Sequence, residues 1–271
     1  MAFVTVLFAP TVFFNSALWG QCDVIYTAFL LISLYCLLRE WPGRALLFFS
    51  IAFAFKLQAL FLLPLFVVLC AKGKLRTIYF LLLPAVYIVL CLPALLAGRP
   101  FFELLNIYRE QAETYPRLTS SAANLYQWLP DNPALFGRAG LIFAATMAGL
   151  LCYVCLKSKA RWGKDLTVRL ALASALLVPF TLPYMHERYF YPADCIAIVY
   201  GYYFPRRFYV PIMVVMVSFF SYLPFLFQDM TVIRLPILAL LLSLVLIDVL
   251  VDLFKALYPL PRWVSDQQRA P

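Results

Sequence analysis

The sequence predicts an all-α fold, a polytopic bundle of transmembrane helices with short broken helices and one long loop on the outer side. Three observations predict it. Apolar residues fill 65% of the 271 positions and charged residues 13%, where soluble domains hold nearly half and about a quarter. The mean hydropathy is +0.87, so too few polar side chains exist to cover a soluble surface. The apolar runs are also continuous. "TIYFLLLPAVYIVLCLPALLA", beginning at Thr77, lacks the period-two alternation of a barrel strand. In a bilayer that leaves helices as the way to pair every backbone group.

In chain order, the apolar segments are about 2–14 (short), 23–38, 45–70, 77–97, 139–156, 166–183, 189–204, 208–227 and 233–254. Most approach the roughly 20 residues that one crossing needs. A long polar loop fills about 99–138, and a tail covers about 255–271. No internal repeat or low-complexity tract interrupts them, so residues 1–271 are expected to form a single transmembrane domain. The first stretch lacks a basic n-region and a small-residue cleavage site, so it does not read as a signal peptide. It reads as the second half of a helix, which suggests a fragment or a late start codon.

Charge sets the expected orientation. Fifteen of the 22 Lys and Arg residues lie in five clusters. These are Arg39 and Arg44; Lys72, Lys74 and Arg76; Lys157, Lys159, Arg161, Lys164 and Arg169; Arg206 and Arg207; and Lys255, Arg262 and Arg269. The positive-inside rule places all five in the cytoplasm and puts 99–138, 184–188 and 228–234 outside. The net charge of +9 is then a topology signal and a fit to anionic headgroups, not a nucleic-acid footprint.

Segment 45–70 has basic clusters on both sides yet holds only 26 residues, too few for two full crossings. A hairpin of two short helices resolves this, with its tip at "FAFKLQ" and with Lys56 and Gln58 on that tip. Non-helical backbone at such depth is tolerated where protein buries it or where it lines a cavity. A lone Lys there marks a candidate site or snorkels to an interface.

The remaining suspicious polar groups gather on the outer side. In "NSALWGQCD" (15–23), Gln21 and Asp23 open a helix, where a carboxylate is favoured by the dipole or serves as a cap. Trp19 suits an interfacial anchor. In "PYMHERYFYP" (183–192), the only His of the chain is followed by Glu187 and Arg188. Arg188 has the forked geometry that grips phosphate, His186 could bind phosphate or acceptor, and Glu187 could accept from sugar hydroxyls. A solvated membrane-edge turn is the alternative. The loop "YREQAETYPRLTSSAANLYQWLP" (108–130) mixes aromatic faces with donors, Tyr115 and Arg117 among them. That mixture suits sugars and phosphates, or a helix lying on the membrane surface. Asp194, Asp248 and Asp252 are the main carboxylates inside apolar helices. The last two, one turn apart near a helix end, read as solvated.

Other chemistries lack support. The seven cysteines show no recurring metal spacing, and Cys152 and Cys155 read as apolar packing. With one His, an all-protein zinc site is not expected. Phosphate-loop, dinucleotide, HExxH and GxSxG motifs do not occur.

Four segments in order, "NSALWGQCD", "FAFKLQALFLLP", "YPRLTSSAANLYQWL" and "MHERYFYP", resemble bacterial members of the GT-C membrane glycosyltransferases. The resemblance covers about residues 10–205. More distantly, they look like the dolichyl-phosphate-glucose-dependent glucosyltransferases of N-glycan assembly. The resemblance implies a bacterial inner-membrane enzyme whose active face points outward. Its donor would be a polyprenyl-phosphate-linked hexose, mannose or glucose, and its acceptor a glycan, lipid or protein. The family's catalytic carboxylate lies in a first outer loop upstream of the WGQxD-like motif, and only 14 residues precede Asn15 here. Among residues present, Asp23, His186 and Glu187 are the candidate proton acceptors. Lys56, Gln58, Arg188, Gln21, Tyr115 and Arg117 are the candidate donor- and phosphate-binding residues. No metal ligand set is expected. Phosphate chemistry would accommodate a divalent metal, but nothing requires one. The competing readings are a transporter or flippase of an anionic lipid-linked substrate, and a non-catalytic membrane assembly subunit. Against the transporter stands the lack of paired repeats; against the subunit, the few small-residue interfaces.

Overall fold

The computed structural model describes residues 1–113, 117–228 and 230–259. The chain is helical, with one two-residue strand pair among the described residues. The helices are α1 (Ala2–Leu7), α2 (Pro10–Phe13), α3 (Asp23–Leu38), α4 (Pro42–Phe55), α5 (Leu63–Ala71) and α6 (Leu82–Leu96). There follow α7 (Phe101–Glu113), α8 (Pro133–Lys157), α9 (Lys164–Thr181), α10 (Tyr191–Tyr203), α11 (Tyr209–Leu226) and α12 (Leu235–Leu257). Among the described residues, four helical stretches are long and apolar enough to cross a membrane: Thr77–Leu96, Pro133–Lys157, Pro205–Leu226 and Leu235–Leu257.

Helix α9 is the centre of the fold. It packs against α3, α5, α8, α10 and α12. Its run of Leu with Ala171, Ala173, Ser174 and Ala175 leaves room for close neighbours on every side, and 14 of its 18 residues are buried. Helix α6 is the opposite case, with no buried residue in a sequence more apolar than that of α9.

Segment 45–70 forms the expected hairpin. Helix α4 stops at Lys56, whose backbone is extended (φ −156°, ψ 130°). A 3-10 turn (Leu57–Leu62) follows, and Pro64 opens α5, where its missing N–H costs nothing. The two arms face each other, with the Phe49 and Phe66 rings 4.3 Å apart. Lys56 and Gln58 sit at the tip.

The described members of the five basic clusters share one end of the molecule, while Arg262 and Arg269 lie outside the described residues. A cavity there is lined jointly by Pro42, Leu69 and Lys164, so both ends of the hairpin and the start of α9 meet. Lys72 Nζ donates to the Ser158 carbonyl (2.6 Å), and Ser158 Oγ donates to the Leu257 carbonyl (2.7 Å). Asp252 corrects the sequence expectation. It is buried, not solvated, because Arg169, Tyr200 and Arg207 converge on it from three other elements.

The described parts of segment 99–138 hold more regular structure than its polarity suggests. They include α7, strand β1 (Thr119–Ser120), a 3-10 turn (Leu125–Trp128) and the first turns of α8. Helix α8 begins six residues before the apolar run because Asn132 accepts from Leu135 N–H (3.1 Å) and Pro133 follows it. Strand β1 pairs in parallel with β2 (Met185–His186), with Ser120 opposite His186. Tyr126 donates to the Thr181 carbonyl (2.9 Å), and Tyr184 N–H donates to the Leu118 carbonyl (2.7 Å). The loop is therefore laid over the turn that carries His186, Glu187 and Arg188.

Candidate functional site

At the end opposite the basic clusters, three segments distant in sequence bring their charged groups together. Phe14–Leu18 is a π-helical turn, and Gly20 then adopts φ +67°, a left-handed conformation open to glycine at no steric cost. The reversal places Asn15 behind the start of α3. Asn15 Nδ2 donates to Asp23 Oδ2 (3.0 Å), and the Gln21 main-chain N–H donates to the Asn15 carbonyl (3.0 Å). Asp23 does not act as a cap. Cys22 occupies that position without a side-chain bond, and the Asp23 carboxylate, fully buried, turns inward to pair with Lys56 Nζ.

The break at Lys56 delivers its ammonium to this carboxylate. The same ammonium lies over the rings of Tyr26 (5.4 Å) and Tyr189 (5.2 Å). Arg188 approaches from the α9–α10 turn. Its Nε is 3.9 Å from Asp23 Oδ2, and its guanidinium stands over Trp19 (5.7 Å) and Tyr189 (5.6 Å). Both cations are about one-fifth exposed, at 19%. Cations over aromatic faces keep their charge available on the other side.

Glu187 is almost fully buried, and its Oε1 has no hydrogen-bond partner among the described residues. That oxygen is 3.8 Å from Arg188 Nη1. Burial raises the Glu187 pKa to about 7, with the Asp23 charge adding and Arg188 opposing. His186 is lowered to about 4, first by burial and then by the positive charges of Arg188 and Lys56. It is therefore neutral at pH 7. His186, Gln58 and Tyr189 line a cavity of about 290 Å³ next to the charged groups, with Tyr108 and Tyr184 on its walls. A larger apolar groove of about 740 Å³ runs along α1, α10 and α11 and shares no lining residue with it.

The structure thus gathers Asp23, Lys56, Glu187 and Arg188 in one cluster, with Gln58 and His186 on the adjoining cavity. Gln21 enters through its main chain. Arg117 is exposed beside Leu118 at the start of the β1 segment, and Tyr115 lies outside the described residues. Sequence reasoning missed three partners: Asn15, Tyr26 and Tyr189. Tyr26 carried a signal, since it follows Asp23 by three positions and must share its helix face. Among the described residues no three His, Cys, Asp or Glu side chains come together as metal ligands.

No protein-family model matches the chain, and no curated protein matches it.

Proposed function

We propose that the protein is an integral membrane glycosyltransferase. It crosses the bilayer several times, with the basic end in the cytoplasm and the Asp23–Lys56–Arg188 cluster facing outward. It transfers a hexose, mannose or glucose, from a polyprenyl-phosphate-linked donor to a glycan, lipid or protein acceptor. The observation that carries this reading is the pair of aromatic-backed cations around one buried carboxylate. Glu187, with a pKa raised to about 7, is partly ionised near neutral pH. In that form two carboxylates balance two cations, so an incoming phosphodiester meets no net negative charge, and the carboxylate is able to accept a proton. Three of the four family-like segments supply the arms of that cluster: Asp23, Lys56, and Glu187 with Arg188.

The roles follow from the geometry. Lys56 and Arg188 bind the donor phosphate. As the bond from the sugar carbon to the phosphate oxygen breaks, the electron pair stays on that oxygen, and both cations stabilise the added charge. The acceptor oxygen forms the new bond to the same carbon. Its proton passes to Glu187, whose pKa near 7 and unpaired Oε1 suit a general base. Asp23 is already saturated by Asn15 and Lys56, so it positions the cations and does not take the proton. Neutral His186 and Gln58 offer hydrogen bonds to the sugar within the cavity.

Transfer of radiolabelled hexose from polyprenyl-phosphate donors tests this in membranes carrying the protein, Lys56→Ala or Arg188→Ala. Donor-dependent transfer by the parent, lost in both variants, supports the enzyme. No transfer from any donor by folded, inserted protein rejects it. The broken helix at Lys56 favours one competing reading, a flippase. Donor crossing the vesicle bilayer without hexose transfer would establish that instead.

A further inference from the structure

A second cavity, of about 250 Å³, lies at the basic end, where three connectors meet. Glu40 comes from the α3–α4 turn, Gly73 and Lys74 from the α5–α6 turn, and Trp162, Gly163 and Lys164 from the entry to α9. Its glycine walls are open: a Cβ added at Gly73 or Gly163 would meet nothing within 4 Å. The basic side chains nearby are not equivalent. Lys72 is held by the carbonyls of Leu156 and Ser158, while Arg39 and Arg44 stack on Trp41 at 5.4 and 4.8 Å. Lys74 and Lys164 are exposed, and neither is held in an ion pair among the described residues. Gly163 stands at the N-cap of α9 without a side-chain cap, and Asp165 in the first turn offsets part of the positive field of the first-turn N–H groups, so the two lysines carry the attraction for an anion. Trp41, exposed at this end, suits the depth of the lipid headgroups, while Trp162 is buried in the cavity wall and donates to Thr167 Oγ1.

We propose that this cavity binds the headgroup of an anionic phospholipid whose phosphodiester carries a polyhydroxyl alcohol, as in phosphatidylglycerol. Lys74 and Lys164 hold the phosphate between them. Glu40 would repel a second anion but accepts hydrogen bonds from the alcohol's hydroxyls, which favours glycerol over a bare phosphate. The proposal rests on the membrane reading above and is independent of the transfer reaction.

The test uses the full chain in phosphatidylcholine nanodiscs titrated with phosphatidylglycerol, with retained lipid counted by native mass spectrometry. Two lysines at a headgroup site predict about thirty-fold weaker phosphatidylglycerol retention in Lys74→Ala/Lys164→Ala. Lys157→Ala/Lys159→Ala removes the same charge from the same end and should leave retention unchanged. Circular dichroism and hexose transfer, unchanged in both variants, separate loss of this site from misfolding and from failure of the enzyme reading. Equal loss in both variants would reduce the effect to diffuse charge and overturn the site. Equal retention of phosphatidylcholine and phosphatidylglycerol by the parent would overturn it too. Displacement of the lipid by soluble glycerol phosphate at equal concentration would make it a free-phosphate site and overturn the lipid assignment.

Discussion

The two ends of the molecule solve the same problem differently. Each buries a carboxylate between two cations. At the basic end, Asp252 Oδ2 receives Arg169 Nε (2.8 Å) and Tyr200 hydroxyl (2.6 Å), and its Oδ1 receives Arg207 Nη2 (3.1 Å). Arg207 Nη1 reaches on to Asp248 (2.8 Å). At the other end, Asp23 is also buried, but Arg188 stays 3.9 Å away, and neither its Nε nor Glu187 Oε1 has a hydrogen bond among the described residues. A saturated cluster has nothing left to bind with and acts as a clamp between α9, α10 and α12. An unsaturated one of similar composition keeps donors for a ligand. Buried charges alone therefore do not mark a site; their unmet bonding capacity does.

The largest expected effect breaks the clamp. Asp252→Ala strands Arg169 and leaves Arg207 with Asp248 alone, and should cost about 3–5 kcal/mol of stability, read from denaturation midpoints in detergent. Transfer per folded molecule should not change. If transfer per folded molecule collapses as well, the two ends are coupled and the contrast fails. Arg188→Ala should do the reverse. Its two ion contacts are long, so stability should barely move, while hexose transfer should fall about 10²–10³-fold. A large loss of stability with normal transfer by the surviving protein would make Arg188 a clamp residue too.

The turn between α9 and α10 gives a pH test of similar reach. Glu187 is raised from 4.5 to about 7, so its folded state prefers the neutral acid. That stabilisation is complete below pH 4.5 and is lost as pH rises towards 7. His186 is lowered from 6.5 to about 4, so its stabilisation is complete above pH 6.5 and is lost as pH falls towards 4. The two slopes oppose each other across the same window, each amounting to about 3 kcal/mol over its range. The parent should therefore show nearly flat stability from pH 4.5 to 6.5. Glu187→Gln should lose stability on acidification through that window, and His186→Gln should lose it on alkalinisation. Parallel slopes in both variants would mean that neither group is perturbed as described. Transfer should rise with pH through about 7 in the parent, and Glu187→Gln should abolish that rise.

Some of this was legible before any coordinates. The hairpin turning at Lys56 followed from two basic flanks and a run too short for two crossings, both local properties of the chain. Helix α3 followed from its uninterrupted apolar run. The neighbourhood of Asp23 was half legible: its charge was visible, but Asn15 reaches it only through the left-handed turn at Gly20. The interior of 99–138 was not legible. Its polar composition conceals that Leu118, Ala122 and Tyr126 are buried, and a two-residue strand pairing across more than sixty positions leaves no periodic trace. Asp252 was misread because proximity to a helix end says nothing about Tyr200 and Arg207 arriving from other elements.

The smallest effect tests whether that hidden platform positions the site. Helix α8 carries Gly137 and Gly140 one turn apart, and each faces a tyrosine ring. A Cβ at Gly140 would fall inside the contact distance of the Tyr126 hydroxyl and 3.2 Å from Pro183 Cγ. Tyr126 is buried and its hydroxyl is already committed to the Thr181 carbonyl, so it has little freedom to withdraw. Gly140→Ala should cost about 1–3 kcal/mol by overpacking, and Gly140→Ala/Tyr126→Phe should recover part of it. The displacement would be felt at Pro183 and Tyr184, directly before His186, and not at Asp252. Reduced hexose transfer in Gly140→Ala, restored with the second substitution, would show that the loop holds the site's geometry from outside the charged cluster. Unchanged transfer with lowered stability would reduce the platform to packing, and the unmet bonds of Glu187 and Arg188 would then owe nothing to it.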